Sequence, residues 1–540
     1  MSRPRVDAGD ALALTIPRLL RERAGRLADR AFVVCDASRL SYREAEERSA
    51  RLARALLAAG AGKGTHVGLL LPNGADFAVA WLAAARVGAV AVPLSTFSKA
   101  AELSGLIRNA DVEILLSARS HRSHDYERTL TEALAGLDLA GTEPVASRSA
   151  PTLRRVHIAS PSAAVHRERS MDGLLALADR VEDEVLVAAE RDVQPSDAMV
   201  IVHTSGSTSE PKGVVHAHGP LIRHLDNLNA LRDYTPEEVL FSNSPWFWIG
   251  GFAYALLGTL VAGGRLVCSN AAEASDVLDV LERERPTMVN GFAQSVAHLP
   301  RDPSFARRDL SSIRRGNLYP IMPEAVRPKD PGLRHAMLGM TEAGSVCLLS
   351  PDETDLPGHQ RGSFGRPAPG FEGRIVDPDS GRPCSPGETG ELWFRGPFLM
   401  EGYYGRERFE VFDADQWFPT GDLFHVDGDG FYYYHGRRGD MIKTAGANVS
   451  PREVEAALAD VAGLRAHVIG IDDPERDQVV AAAIVSDDPV DVDALEGLLR
   501  ERLSSYKIPR VFLVLAEGEV PMMSSGKLDR RALEERFVGR

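Results

Sequence analysis

The chain has 540 residues, too many for one hydrophobic core, so two or more domains are expected. Its 44% hydrophobic and 26% charged content is ordinary for a globular protein in water. A formal net charge of −14 with no long basic block excludes a generic grip on nucleic acid or on an anionic membrane. The four cysteines, Cys35, Cys268, Cys347 and Cys384, form no CxxC and no zinc-spaced cluster. They are read as reduced, mostly buried residues of a cytoplasmic protein. The N-terminal run MSRPRVDAGDALALTIPRLLRERAG does not read as a signal peptide.

SYREAEERSARLARALLAAG (Ser41 to Gly60) predicts a helix. Ser41 can cap it, Glu44 can complete a capping box, and Leu52, Ala55, Leu56 and Ala59 recur on one face. HVGLLLPNG then reads as a buried strand, and ADFAVAWLAAARVGAVAVPLS as a helix leading into another strand. Strand, helix, strand is the rhythm of a parallel sheet with covered faces. The Ser/Arg/Ala-rich stretch from about Ser117 to Ser170 is expected on the surface. MVIVH (Met199 to His203) is a short strand entering HTSGSTSEPKGVVH. WFWIGGFAYALLGTLVAGG (Trp246 to Gly264) carries no charge over about the length that spans a bilayer. Its glycines and the polar SNSP before it favour a buried helix, a membrane contact being the alternative. From Phe371 to Gly402, short β-like runs alternate with Asp/Pro/Gly turns, which predicts a small antiparallel or barrel-like subdomain. HGRRGDMIKTAGANVSPREVEAAL opens a new unit. Ser450 is placed as a helix cap, with Pro451 at the first position, Glu453 closing the box, and Val454, Ala457 and Leu458 facing inward. The expected domains are residues 1–438 and 439–540.

The loop after MVIVH is built to hold an anion. It is not a P-loop, because Pro211 stands where GxxxxGK[ST] needs its second glycine. Converging backbone N–H groups in a Gly/Ser/Thr loop nevertheless make an anion nest. Thr204, Ser205, Ser207 and Thr208 add hydroxyls around Gly206, and Lys212 adds a cation that can track a polyphosphate. Taken alone, the loop has a solvated Ser/Gly turn as its alternative.

It does not stand alone. TSGSTSEPKG resembles the phosphate loop of the adenylate-forming superfamily, which includes acyl-CoA synthetases, luciferases and nonribosomal adenylation domains. In family order follow LGMTEAG (Leu338 to Gly344), MEGYYG (Met400 to Gly405), TGDLFHVDGDGFYYYHGRRGDMIK (Thr420 to Lys443), GANVSPREVE (Gly446 to Glu455) and SSGKLDRRAL (Ser524 to Leu533). The resemblance runs from about Ser41 to the C-terminus, apart from the Ser117–Ser170 stretch. It implies an α/β fold: a large N-terminal adenylation domain of mainly parallel sheets covered by helices, with a small β-rich subdomain, then a small mobile α+β domain carrying the catalytic lysine.

The resemblance also implies the chemistry. A carboxylate attacks the α-phosphate of ATP to give acyl-AMP and pyrophosphate, and a thiol then displaces AMP. Lys527 is the implied catalytic lysine, bridging carboxylate and α-phosphate, with Lys212, Thr341 and Glu342 completing the catalytic set. Glu342 is the implied Mg2+ ligand, a hard oxygen donor for a hard cation. Thr341 is implied at the α-phosphate, Asp422 at the ribose hydroxyls with Arg437 assisting, and Asn317, Leu338 and Gly339 on the adenine side. Lys443 and Gly446 belong to the segment presented to the thiol, where a glycine lets a pantetheine arm pass close to the backbone. Four departures stand out: Leu338 replaces an aromatic that stacks on adenine, Ser209 a glycine of the phosphate loop, and Gly439 the usual Asp or Lys of the hinge, while RRGNLYP (Arg315 to Pro320) differs from the usual adenine-side loop.

SPWFWIGGF (Ser244 to Phe252) matches the segment that lines the acyl site. It lacks the Asp with which amino-acid-activating relatives hold the substrate ammonium, so an acid without an α-amino group is expected. Trp246, Phe247, Trp248 and Phe252 offer apolar area or core packing. Trp248 stands where many relatives have His and is read as a gate. Gly250, Gly251 and Gly291 are read as making room for a chain or ring. Fatty, aryl and polycyclic acids all stay open. The chain ends 13 residues after Lys527, so no carrier domain is expected after it. The thiol is read as free coenzyme A, with a separate carrier protein as the alternative and a non-catalytic nucleotide-binding relative as a third reading. No integral membrane segment is expected, and a homodimer is one open assembly.

Overall fold

The computed structural model describes residues 12–204, 211–444, 447–473, 477–500, 503, 507–523 and 527–538. Packing divides the chain into two compact units, one of residues 1–361, 367–371 and 396–414, the other of residues 362–366, 372–395 and 415–540.

The first unit is built on two sheets. One has seven strands in the order Gly402–Tyr403, Lys212–Ala217, Ala198–Thr204, Val90–Pro93, His66–Leu70, Ile114–Ala118 and Arg155–Ala159. From Ala198–Thr204 to the far edge every pairing is parallel. The two strands at the other end are antiparallel additions. The predicted strand–helix–strand rhythm is realised in His66–Leu70, the helix Ala75–Arg86 and Val90–Pro93. That helix is buried at every residue except Asp76. Its one guanidinium, Arg86, is paired inside with Glu190 at 2.5 Å and Glu46 at 2.7 Å. Removing one partner of such a buried pair costs about 3–5 kcal/mol, because the other charge is left without compensation. The second sheet has six strands, parallel except for the Ala31–Cys35/Ser38–Ser41 hairpin at its edge.

Local signals are honoured at the helix Tyr42–Ala58. Ser41 accepts from the Glu44 N–H at 3.1 Å and Glu44 accepts from the Ser41 N–H at 2.8 Å. The uncharged run from Trp246 forms a buried helix, π-helical over Gly250–Leu257 and α-helical over Gly258–Ala262. Among the described residues no helix is long and apolar enough to cross a membrane. The Ser117–Ser170 stretch corrects the expectation of a surface segment. It supplies the edge strand Arg155–Ala159 and buries Tyr126, Leu130, Leu153, Val156 and Ile158. Its apolar residues come in short, interrupted groups, so no period announces them.

The second unit holds the expected antiparallel sheet, Glu372–Val376, Gly390–Arg395, Phe418–Val426 and Tyr432–Arg437. A further sheet contains Ile442–Thr444, Ala447–Val449, Arg465–Asp473, Asp477–Val485 and Val511–Leu515. The helix Pro451–Ala462 begins where predicted and buries Val454 and Leu458. The predicted capping box there is not made. Ser450 Oγ instead donates to the His435 carbonyl, and Glu453 pairs with Lys507 at 2.6 Å. The same hydroxyl can cap a helix or tie it to a neighbouring strand, and here the tertiary bond wins.

Candidate functional site

The phosphate-loop motif sits between two antiparallel strands. Lys212 lies opposite Thr204, where the two strands that flank residues 205–210 pair antiparallel. Ser205, Gly206, Ser207, Thr208 and Ser209, like Gly446, lie outside the described residues, as does the Lys443 side chain. The segment after Met400 crosses this strand pair. Glu401 N donates to Val215 O at 2.9 Å and Tyr404 N to Gly213 O at 2.7 Å. Gly402–Tyr403 thereby becomes the edge strand beside Val214–Val215.

Tyr403 joins two predicted site residues that are 130 positions apart in sequence. Its hydroxyl donates to Glu342 Oε1 at 2.8 Å, and Lys212 Nζ stands over its ring, 5.0 Å from the centroid. Glu342 is carried on the short helical turn Thr341–Ala343, which follows the strand Leu338–Met340. That turn ends at Gly344, in the left-handed region at φ 70°, and any Cβ there would press on Leu221 and on the His216 ring. Met400 N holds the Glu342 carbonyl at 2.8 Å. Sequence reading passed over Tyr403, although MEGYYG contains it.

The Glu342 carboxylate is a hard donor with one oxygen engaged by a neutral hydroxyl. Among the described residues no three His, Cys, Asp or Glu side chains gather as a metal site. A cation here would therefore take one protein carboxylate and draw its other ligands from phosphate and water. Mg2+ tolerates that arrangement, and the donor set fits it.

Asn317 pairs with the backbone of Gly291 in both directions, its Oδ1 accepting from Gly291 N and its Nδ2 donating to Gly291 O, each at 3.0 Å. Leu338 is half-buried and Gly339 exposed at the strand before Thr341.

The apolar candidates divide into two groups. Trp246 and Phe252 are fully buried, edge-on against Phe77 and Trp81 with ring centroids 5.4 and 5.1 Å apart. A side chain on Gly251 would collide with the Pro245 carbonyl, so its missing Cβ serves backbone packing. A side chain on Gly250 would meet nothing within 4 Å. Phe247 and Trp248 instead belong to a chain of edge-to-face rings. Phe97 lies 5.3 Å from Phe247, Phe247 5.3 Å from Trp248, and Trp248 5.8 Å from Phe292, which is 55% exposed. The segment is anchored by Asn73, whose amide donates to Ser244 O at 3.0 Å and accepts from Trp246 N at 2.9 Å.

In the second unit, Asp422 and Arg437 are cross-strand partners, with Arg437 Nε 2.9 Å from Asp422 Oδ1. The Asp422 side chain is 4% exposed and the Arg437 side chain 56%. Lys527 is exposed, and its carbonyl accepts from Met523 N at 2.7 Å. Gly439 lies in the turn Arg438–Asp440, where an added Cβ would meet nothing within 4 Å.

Comparison with known proteins identifies the family. The AMP-binding enzyme family matches residues 20–404, and the AMP-binding enzyme C-terminal domain matches residues 453–527. A feruloyl-CoA synthase from Amycolatopsis is 32% identical over 506 residues, covering 92% of this chain and 94% of the relative. A sulfoacetate–CoA ligase from Cupriavidus necator is 29% identical over 533 residues, covering 96% and 97%. In fold, the chain is similar to an anthranilate CoA ligase solved with anthranoyl-AMP, at a TM-score of 0.77 and 22% identity, with 98% of each chain covered.

Proposed function

The chain belongs to the AMP-binding enzyme family and is an AMP-forming acid–CoA ligase, and we propose that its acid is apolar and lacks an α-amino group, with an aryl acid the best fit. The relatives named above act on acids as different as feruloyl and sulfoacetate, so the acid is read from this chain's own residues. Ser244–Phe252 carries no charged residue, and the rings of Phe97, Phe247, Trp248 and Phe292 form one edge-to-face series. Such a series offers both the face and the edge of an aromatic ring to an aryl or alkenyl chain.

The observation that carries the proposed site is Tyr403, which ties Glu342 to the strand of Lys212. In the first step a carboxylate oxygen attacks the α-phosphorus of ATP, and the bond to the β-bridging oxygen breaks as pyrophosphate leaves. Two anions must meet, so the work is charge compensation by groups already in place. We assign the loop from Thr204 to Thr208 and Lys212 to the β- and γ-phosphates, and Thr341 to the α-phosphate. Lys527 is assigned to the charge that grows between carboxylate and phosphate. Glu342 would hold Mg2+, which when bound neutralises phosphate charge. Asn317, Leu338 and Gly339 are assigned to the adenine side. Asp422 is assigned to accept from the ribose hydroxyls, and Arg437, 2.9 Å away, to aim that carboxylate.

In the second step the coenzyme A sulfur attacks the acyl carbonyl carbon and AMP leaves. We assign Lys443 and Gly446 to the passage of the pantetheine arm. The residues after Arg438 are proposed to act as a swivelling domain with Gly439 as its pivot. The free cysteines fit a reducing, cytoplasmic setting.

The test is pyrophosphate release with ATP and Mg2+ over a panel of fatty, aryl, polycyclic, sulfonated and amino acids, each with and without coenzyme A. The reading expects aryl-acid-dependent release that turns over only with coenzyme A. Turnover on sulfonated or amino acids but on no apolar acid would overturn it.

A further inference from the structure

His216 lies four residues after Lys212 on the same strand and is 2% exposed. Its Nε2 stands 2.7 Å from the carbonyl oxygen of Thr341. A carbonyl can only accept, so Nε2 carries the proton and donates. The same oxygen also accepts from Gly344 N at 2.9 Å, the bond that closes the Thr341–Ala343 turn. The next carbonyl, of Glu342, accepts from Met400 N at 2.8 Å. The carbonyls of Thr341 and Glu342 are therefore each held by a donor from another segment. The turn also approaches the imidazole closely, since a Cβ on Gly344 would stand 3.3 Å from His216 Cε1.

This histidine is a costly choice for a structural core position. A leucine would fill the space without a buried polar ring. What imidazole adds is one N–H aimed at the backbone between Thr341 and Glu342. We propose that His216 is a positioning residue for the adenylation step, fixing the Thr341–Glu342 turn so that the Thr341 hydroxyl and the Glu342 carboxylate meet the phosphates in one orientation. This rests on the assignment of those two residues to phosphate and cation. Through Lys212 and His216, one strand would then serve the phosphate loop and the turn opposite it.

The test compares the two half-reactions in the full chain, using the best acid of the panel above. Acyl-AMP formation is followed by pyrophosphate release as Mg2+ is varied, and thioester formation is followed from supplied acyl-AMP and coenzyme A. His216→Leu should slow acyl-AMP formation roughly 10- to 100-fold, the size typical when a residue that orients a ligating group is lost, and should raise the Mg2+ requirement. Thioester formation from supplied acyl-AMP should stay within about twofold, as a turn that only positions phosphate ligands predicts. His216→Gln, whose amide N–H can reach the same oxygen, should recover most of the rate. His216→Asn, too short to reach, should not, and it replaces the leucine variant if that fails to fold. Parallel loss of both half-reactions, or no loss of either while Glu342→Ala abolishes acyl-AMP formation, would overturn the inference. Normal acyl-AMP formation by Glu342→Ala would overturn the site assignment itself, and the role of His216 with it.

Discussion

Tyr403 donates its hydroxyl to Glu342 at 2.8 Å while its ring underlies the ammonium of Lys212. One side chain thus orients a carboxylate and a cation that sequence alone assigns separately to the same polyphosphate. Tyr403→Phe keeps the ring under Lys212 and removes only the hydrogen bond. A bond to a charged acceptor contributes about 1.5–3 kcal/mol, so acyl-AMP formation should fall roughly 10- to 100-fold. Steady-state pyrophosphate release against Mg-ATP concentration checks this, with Tyr403→Ala expected to be worse.

Asp422 is nearly buried while its partner Arg437 is more than half exposed. An exposed partner adds little to folding stability, since solvent screens it. Asp422→Asn should therefore raise the KM for ATP by about tenfold, the scale of a charge-assisted hydrogen bond. Arg437→Gln should raise it less, with the melting temperature nearly unchanged. Equal effects of the two substitutions on stability and not on KM would count against the ribose assignment.

The ring series and the core rings should respond differently to truncation. Phe252→Ala removes a fully buried ring packed on Trp81 and should cost about 3–5 kcal/mol of stability, measured by denaturant unfolding. Trp248→Ala and Phe292→Ala should cost far less stability. They should raise the KM for the acid or shift preference toward bulkier acids, leaving the KM for ATP unchanged.

Burial pushes the pKa of His157, His216 and His218 down to about 4 and that of His224 down to about 3. An unfolded histidine titrates near 6.5, so below that pH the unfolded chain binds more protons than the folded one. Stability is then fully present above pH 6.5 and falls as pH drops toward 4, by roughly 1–2 kcal/mol per histidine at pH 5. Denaturant midpoints between pH 7 and 5 should fall accordingly. Replacing His224, whose ring packs against Phe371 and Phe398, by Leu should flatten the dependence.

Local rules carried the sequence reading a long way. The Ser41 box, the alternation of strand and helix around Ala75–Arg86 and the Asp/Pro/Gly-punctuated antiparallel sheet each follow from neighbours within one turn or one hairpin. Ser450 shows where such rules stop, because its hydroxyl has a remote backbone competitor. The uniformly apolar WFWIGGF has no period, so nothing in it separates the core ring Trp246 from the half-buried Trp248. Phe97 joins Phe247 across 150 positions, and His216 reaches Thr341 across 125. Pairings of that kind exist only once the sheets have formed. Motif order singles out Thr341, Glu342 and Lys212 as candidates, but the contacts that Tyr403 and His216 make with them are tertiary facts.

Lys527 gives the most direct test of the two-step account. Lys527→Ala should lower the rate of acyl-AMP formation by about 2–4 kcal/mol of barrier, the size of a lost electrostatic donor, while still converting supplied acyl-AMP and coenzyme A to thioester. Acyl-AMP formation at the unsubstituted rate would contradict the account at its centre.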